Sequence, residues 1–160
     1  MGNKLKYLII HCTATPEGRE VTRKDIERWH LSKPPVGRGW KQVGYTDLFH
    51  LDGTITRLVD NNEDSVVDSW EITNGAVGLN AVSRHIVYAG GLDVTGKKAK
   101  DTRTREQVES LTAYVLNFVR ENPNVLVAAH SQFAAKSCPS FSVPRWLEVI
   151  EVPDKNIYRK

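Results

Sequence analysis

Two near-continuous apolar stretches stand out along the chain, Tyr7-Leu8-Ile9-Ile10 and Val125 to Ala129. Both are too short for helices and lack the alternation of a half-exposed strand, so they predict strands buried on both faces. Arg84 to Ala89 predicts another strand, ended by Gly90-Gly91. Thr46 to Leu51 and Thr54 to Leu58 flank Asp52-Gly53. This predicts a hairpin, with Asp-Gly supplying the positive φ angles of a type I′ turn. Helical signals lie between the strands. Thr22-x-x-Asp25 is a capping box with Asp in place of Glu, opening a helix to about Leu31 with Ile26, Trp29 and His30 at core spacing; Pro34-Pro35 stops it. Thr104-x-x-Gln107 opens the longest helix, to about Glu121, with Val108, Leu111, Val115, Phe118 and Val119 as its buried stripe. Pro123 prevents its continuation. A short helix is predicted from about Val143 to Ile150. Residues 60–81 and 93–103 read as polar surface loops, the first beside the site. The interleaving predicts an α/β fold: a single domain over 1–160, with a central mixed β-sheet of about five strands flanked by about three helices.

Composition narrows the function classes. A chain of 160 residues buries about two-thirds of its unfolded surface and needs no disulfide framework. There are two cysteines, Cys12 and Cys138, which suits a reducing compartment if one is a metal ligand and the other a free thiol. No apolar run approaches the roughly 20 residues of a membrane span. The N-terminus enters a strand without an apolar leader, so no signal peptide is expected. Met-Gly-Asn begins like a myristoylation signal, but Lys6 stands where Ser or Thr is required. The net charge is +3, and the basic cluster of Lys97, Lys98, Lys100, Arg103 and Arg105 reads as a solvated loop. No nucleic-acid-binding motif is present. The expected chain is a monomer with neither nucleic acid nor membrane as partner.

The chemistry concentrates in A-A-H-S-Q-F-A-A-K-S-C-P-S-F, Ala128 to Phe141. His130 closes a buried strand, and Cys138 follows eight residues on. Imidazole and thiolate are ligands that zinc prefers, at roughly 2.0–2.3 Å, and a catalytic site takes three protein ligands plus one open position. A folded-back loop must bring the two together, and His11, closing the strand Tyr7 to Ile10, offers the third. An alternative makes Cys138 a thiol nucleophile with His130 as base, which gives His11 no role. Alternation points Cys12 away from His11, which argues against a Cys12–Cys138 disulfide.

His11 followed by H-x7-C-P-S-F resembles the zinc-dependent N-acetylmuramoyl-L-alanine amidases, which include phage lysozyme-type amidases and animal peptidoglycan-recognition proteins. R-W-H at Arg28 to His30, V-G-Y at Val43 to Tyr45, L-D-G-T at Leu51 to Thr54 and G-G-L-D at Gly90 to Asp93 agree in the same order, over about residues 5 to 147. The resemblance implies a Zn2+ held by His11, His130 and Cys138, and hydrolysis of the amide between N-acetylmuramic acid and L-alanine in peptidoglycan. It also implies Tyr45 and Lys136 as the catalytic pair, stabilising the oxyanion that forms on the attacked carbonyl. Taken without it, those two read as a core Tyr and a solvated Lys. A phage or prophage endolysin is implied, made in the cytoplasm and released to the cell wall. The alternative is a non-catalytic peptidoglycan-binding module, against which Cys138 argues. Two positions depart from the family: Thr46, and Gly75 in Asn74-Gly75-Ala76, where many relatives carry His. His30 reads as structural, and His50 and His85 are unassigned.

Overall fold

The computed structural model describes residues 2–160. In chain order its elements are β1 (Asn3–Lys4), β2 (Tyr7–Cys12), β3 (Thr15–Pro16), α1 (Arg23–Leu31), β4 (Asp47–Phe49), β5 (Ile55–Arg57), β6 (Val66–Val67), β7 (Ser83–Tyr88), β8 (Gly91–Leu92), α2 (Arg105–Glu121), β9 (Leu126–Ala129) and α3 (Val143–Val149). Five strands make the central sheet, in the order β5-β4-β7-β2-β9. β4, β7, β2 and β9 run parallel, and β5 closes one edge antiparallel to β4. The expected mixed sheet with three helices is what the chain forms. Every residue of β2 and of β7 is buried, as their apolar runs require of strands covered on both faces.

The period of two along β2 sorts the layers. Leu8, Ile10 and Cys12 enter one core with Leu111, Val115 and Val119 of α2 and Val143, Trp146 and Leu147 of α3. Tyr7 and Ile9 face the opposite side, against Ala76 and Phe133. On that side α1 packs Ile26 against Leu48 and Val87. Both long helices begin where their caps dictate. Thr22 accepts from the Asp25 N–H at 3.2 Å while Asp25 accepts from the Thr22 N–H at 3.0 Å. Thr104 and Gln107 repeat the exchange at 3.0 and 2.9 Å.

Three local expectations need correcting. The β4–β5 hairpin forms, but its turn is not type I′, because only Gly53 of the pair has positive φ (85°). Asp52 instead accepts from the Thr54 N–H at 2.9 Å, and the loop widens to residues 50–54 between the paired Phe49 and Ile55. On α2, Val108 and Phe118 are only half-buried, whereas Gln107 is fully buried and donates to the carbonyls of Phe49 and Ala89. Residues 60–81 are not a surface loop throughout. Glu71 lies under them with its side chain 0% exposed, accepting from Arg84 at 3.1 Å and from the N–H groups of Asn62 and Asp68 at 2.8 and 3.1 Å. Removing one partner of such a pair strands the other charge. Glu71→Ala is therefore expected to destabilise the fold by about 3–5 kcal/mol in urea unfolding, and a loss below about 1 kcal/mol would show that water reaches Arg84. Among the described residues no helix is long and apolar enough to cross a membrane.

Candidate metal centre

Parallel pairing puts the C-terminal ends of neighbouring strands side by side, where open α/β sheets gather their ligands. β2 pairs with β9 through Ile10 and Ala129, so the next residues along the chain, His11 in β2 and His130 just past β9, emerge next to one another. Their ring centroids are 4.6 Å apart. The chain after His130 then doubles back, with the Ser131 N–H donating to the Cys138 carbonyl at 2.8 Å. Two further bonds hold this loop against the end of β7 and the strand after it. The Tyr88 hydroxyl donates to the Pro139 carbonyl at 2.6 Å, and Ser140 Oγ to the Gly91 carbonyl at 2.9 Å.

The result is a cluster in which one donor atom from each of His11, His130 and Cys138 lies within 4.8 Å of the others. Cys138 Sγ stands 3.8 Å from His11 Nδ1. Nitrogen and sulfur at 2.0 and 2.3 Å from a tetrahedral ion sit about 3.5 Å apart, so the spacing fits one shared ion after a small inward movement. Burial holds the imidazoles of His11 and His130 below the ordinary histidine range, which keeps them neutral as ligands must be. A hydrogen bond with the Cys12 thiol, then burial, pushes the Cys138 thiol up. A dication bound beside it would reverse the balance and deprotonate it. Cys12 and Cys138 are both free thiols, and the Cys12 N–H donates to Cys138 Sγ at 3.2 Å.

The sequence pattern of the N-acetylmuramoyl-L-alanine amidases matches residues 1–141. The chain belongs to this family. Its reaction is hydrolysis of the amide joining N-acetylmuramic acid to L-alanine in peptidoglycan, and the chain is such an amidase. The endolysin of Escherichia phage T7 is 29% identical over 145 residues, covering 91% of this chain and 87% of that protein. Among solved structures, the Ph2119 endolysin from the Thermus scotoductus MAT2119 bacteriophage superposes with a TM-score of 0.69 at 21% identity, over 92% of this chain and 86% of its own. A mutant of Drosophila PGRP-LB in complex with tracheal cytotoxin superposes at 0.66 with 18% identity, over 99% of this chain and 89% of its own.

Around the cluster the amidase carries a groove of about 190 Å³, lined on one side by His130, Phe133, Ala134 and Lys136 and on the other by Arg38, Trp40 and Asn74 to Val77. Lys136 is exposed on its rim. Tyr45 is half-buried, its ring centroid 5.1 Å from that of His11 and 5.3 Å from that of His30. Burial raises its hydroxyl above the ordinary tyrosine value, so it remains an O–H donor. His30 accepts from the Gly44 N–H at 2.9 Å, bracing the backbone just before Tyr45. Burial lowers its pKa to about 4, so the accepting nitrogen stays unprotonated. His50 has other partners, Glu20 and Thr56. Thr46 is buried.

His85, which the sequence left unassigned, is fully buried against His11, with His85 Nδ1 2.9 Å from His11 Nε2. A histidine inside a strand has two possible faces. Only the β2–β7 register, which sets His85 beside Ile9 and Val87 beside His11, puts both imidazoles on one side.

Proposed function

We propose that the chain is a zinc-dependent endolysin, with His11, His130 and Cys138 as metal ligands and Tyr45 and Lys136 as catalytic residues, all within one domain spanning 1–160. The observation that carries this reading is the convergence of two imidazoles and one thiol at the C-terminal edge of parallel strands, beside a groove. When bound, zinc would act as a Lewis acid and lower the pKa of a coordinated water to about 7. The groove holds the muramyl peptide with its scissile carbonyl toward His130. Tyr45 donates its hydroxyl to the oxygen on which charge develops, and Lys136 supplies a cation at the groove rim. The phage endolysins support the placement in cell-wall lysis, and a relative in complex with tracheal cytotoxin supports a muropeptide in the groove. The chain would act at the wall after release from the cytoplasm, as a monomer.

Two measurements test the reading together. Metal analysis of purified protein should find about one zinc per chain, the single ion that three protein ligands hold. Mass spectrometry of digested peptidoglycan should find a free L-alanine amine, which appears only when this bond is cut. Metal-free protein with full activity overturns the zinc assignment. Zinc-loaded protein that leaves the wall intact identifies a binding module instead.

Cys12 supplies a further check. Its thiol lies in the core beside that of Cys138, and its backbone N–H, which any residue retains, also donates to Cys138 Sγ. Cys12→Ala should keep the zinc and lose about 1 kcal/mol of stability through lost packing. Loss of zinc from this variant would make Cys12 a ligand.

A further inference from the structure

We propose that His85 and Asn80 are positioning residues that fix which ring nitrogen of His11 faces the metal. This rests on the reading of His11 as a ligand. The Ala76 N–H points at the Asn80 side chain at 2.9 Å, so the atom it meets must be the amide oxygen, Oδ1. His85 Nε2 lies 2.9 Å from the same oxygen and must therefore be the protonated nitrogen. A neutral imidazole has one donor and one acceptor, which leaves a lone pair on His85 Nδ1. Its hydrogen-bond partners, His11 and Asn80, include no carboxylate that would hold a second proton on a fully buried ring. His11 Nε2, 2.9 Å from that lone pair, must then carry the proton. The remaining lone pair of His11 is on Nδ1, the atom that stands 3.8 Å from Cys138 Sγ.

A backbone N–H thus sets the tautomer of His11 through two buried side chains. The chain of bonds also fixes the orientation of the His11 ring, as outer partners of ligating histidines do. Space for His85 is made at one position. A Cβ on Gly75 would lie 2.4 Å from His85 Cγ and Nδ1, so a side chain at 75 and the imidazole at 85 cannot both be seated. Residues 75–80 therefore act on the metal side of the sheet through hydrogen bonds rather than through ligands of their own.

The experiment has two readouts, neither of them turnover. In metal-free wild type, nitrogen-detected NMR of the imidazoles should find the Nε2–H tautomer in both His11 and His85; a His11 protonated on Nδ1 overturns the proposal without reference to any metal. Zinc affinity is then measured by competition with a chelator in wild type, His85→Leu, His85→Asn and Asn80→Leu. His85→Leu and Asn80→Leu should each weaken binding about 10–100-fold, while His85→Asn, whose amide oxygen can stand in for Nδ1 as acceptor, should stay within about threefold of wild type. Equal affinity in wild type and His85→Leu overturns the proposal, as does a His85→Asn variant as weak as His85→Leu. Should His85→Leu fail to fold, Asn80→Leu and the wild-type tautomers decide the matter. Failure of the wild type to bind zinc, or unchanged binding in His11→Ala, would instead remove the ligand reading beneath it.

Discussion

Cys138→Ser and His130→Ala are each expected to lose both zinc and amidase activity, the largest effects of any single substitution in this chain. On the proposed assignment each variant leaves two protein ligands where a catalytic zinc site needs three. The loss of affinity should exceed the about 10–100-fold expected on removing an outer partner such as His85. Serine keeps the shape of Cys138 and its place beside the Cys12 N–H, so the fold should survive. Wild type should melt higher with excess zinc than with excess chelator, because an ion that binds only the folded state stabilises it by mass action. The difference should vanish in Cys138→Ser. Ligands must be deprotonated, so zinc affinity should also fall as pH drops. A Cys138→Ser protein that keeps zinc and full rate would sink the ligand assignment.

Tyr45→Phe and Lys136→Ala should keep zinc yet lose rate. Neither side chain belongs to the three-donor cluster, so metal content is the control. Removing one donor to a developing oxyanion costs about 10²–10³ in kcat, or roughly 2.7–4 kcal/mol. Tyr45→Phe deletes one oxygen and leaves the ring packing against His11 and His30 intact, which makes it the cleaner variant. A loss confined to kcat assigns the hydroxyl to the transition state; a rise in KM alone makes it a substrate contact. Lys136 is exposed, so its removal should leave the melting temperature within about 1 °C, the small response of surface positions. Rates equal to wild type in both variants would end the assignment of this pair.

Much of this molecule is legible in local sequence, because the forces that decide those parts act over a few residues. Thr22 with Asp25 and Thr104 with Gln107 start their helices where the capping boxes stand, since each donor meets its acceptor three residues away. The apolar runs at Tyr7 and Val125 become the buried strands β2 and β9 for the same reason of composition. The side-chain chemistry of His11, His130 and Cys138 marks the candidate metal centre, and the family motifs mark Tyr45 and Lys136. Local rules fail where another partner competes, near or far. Asp52 gives its oxygen to the Thr54 N–H rather than forming a type I′ turn. Glu71 is buried in a stretch that reads as solvent-exposed, because Arg84 reaches it from β7.

By itself the sequence determined the three helices, the strands of the central sheet, and the types and chain order of the donors at the candidate centre. Only the tertiary structure decided what faces them. His85 becomes a neighbour of His11 through the parallel register of β2 on β7, and a slip of one residue would turn it to the α2 side. Cys138 comes within reach of His11 through the fold-back closed by the Ser131 N–H. Register and loop closure are set by the packing of whole layers, which no window of a few residues contains.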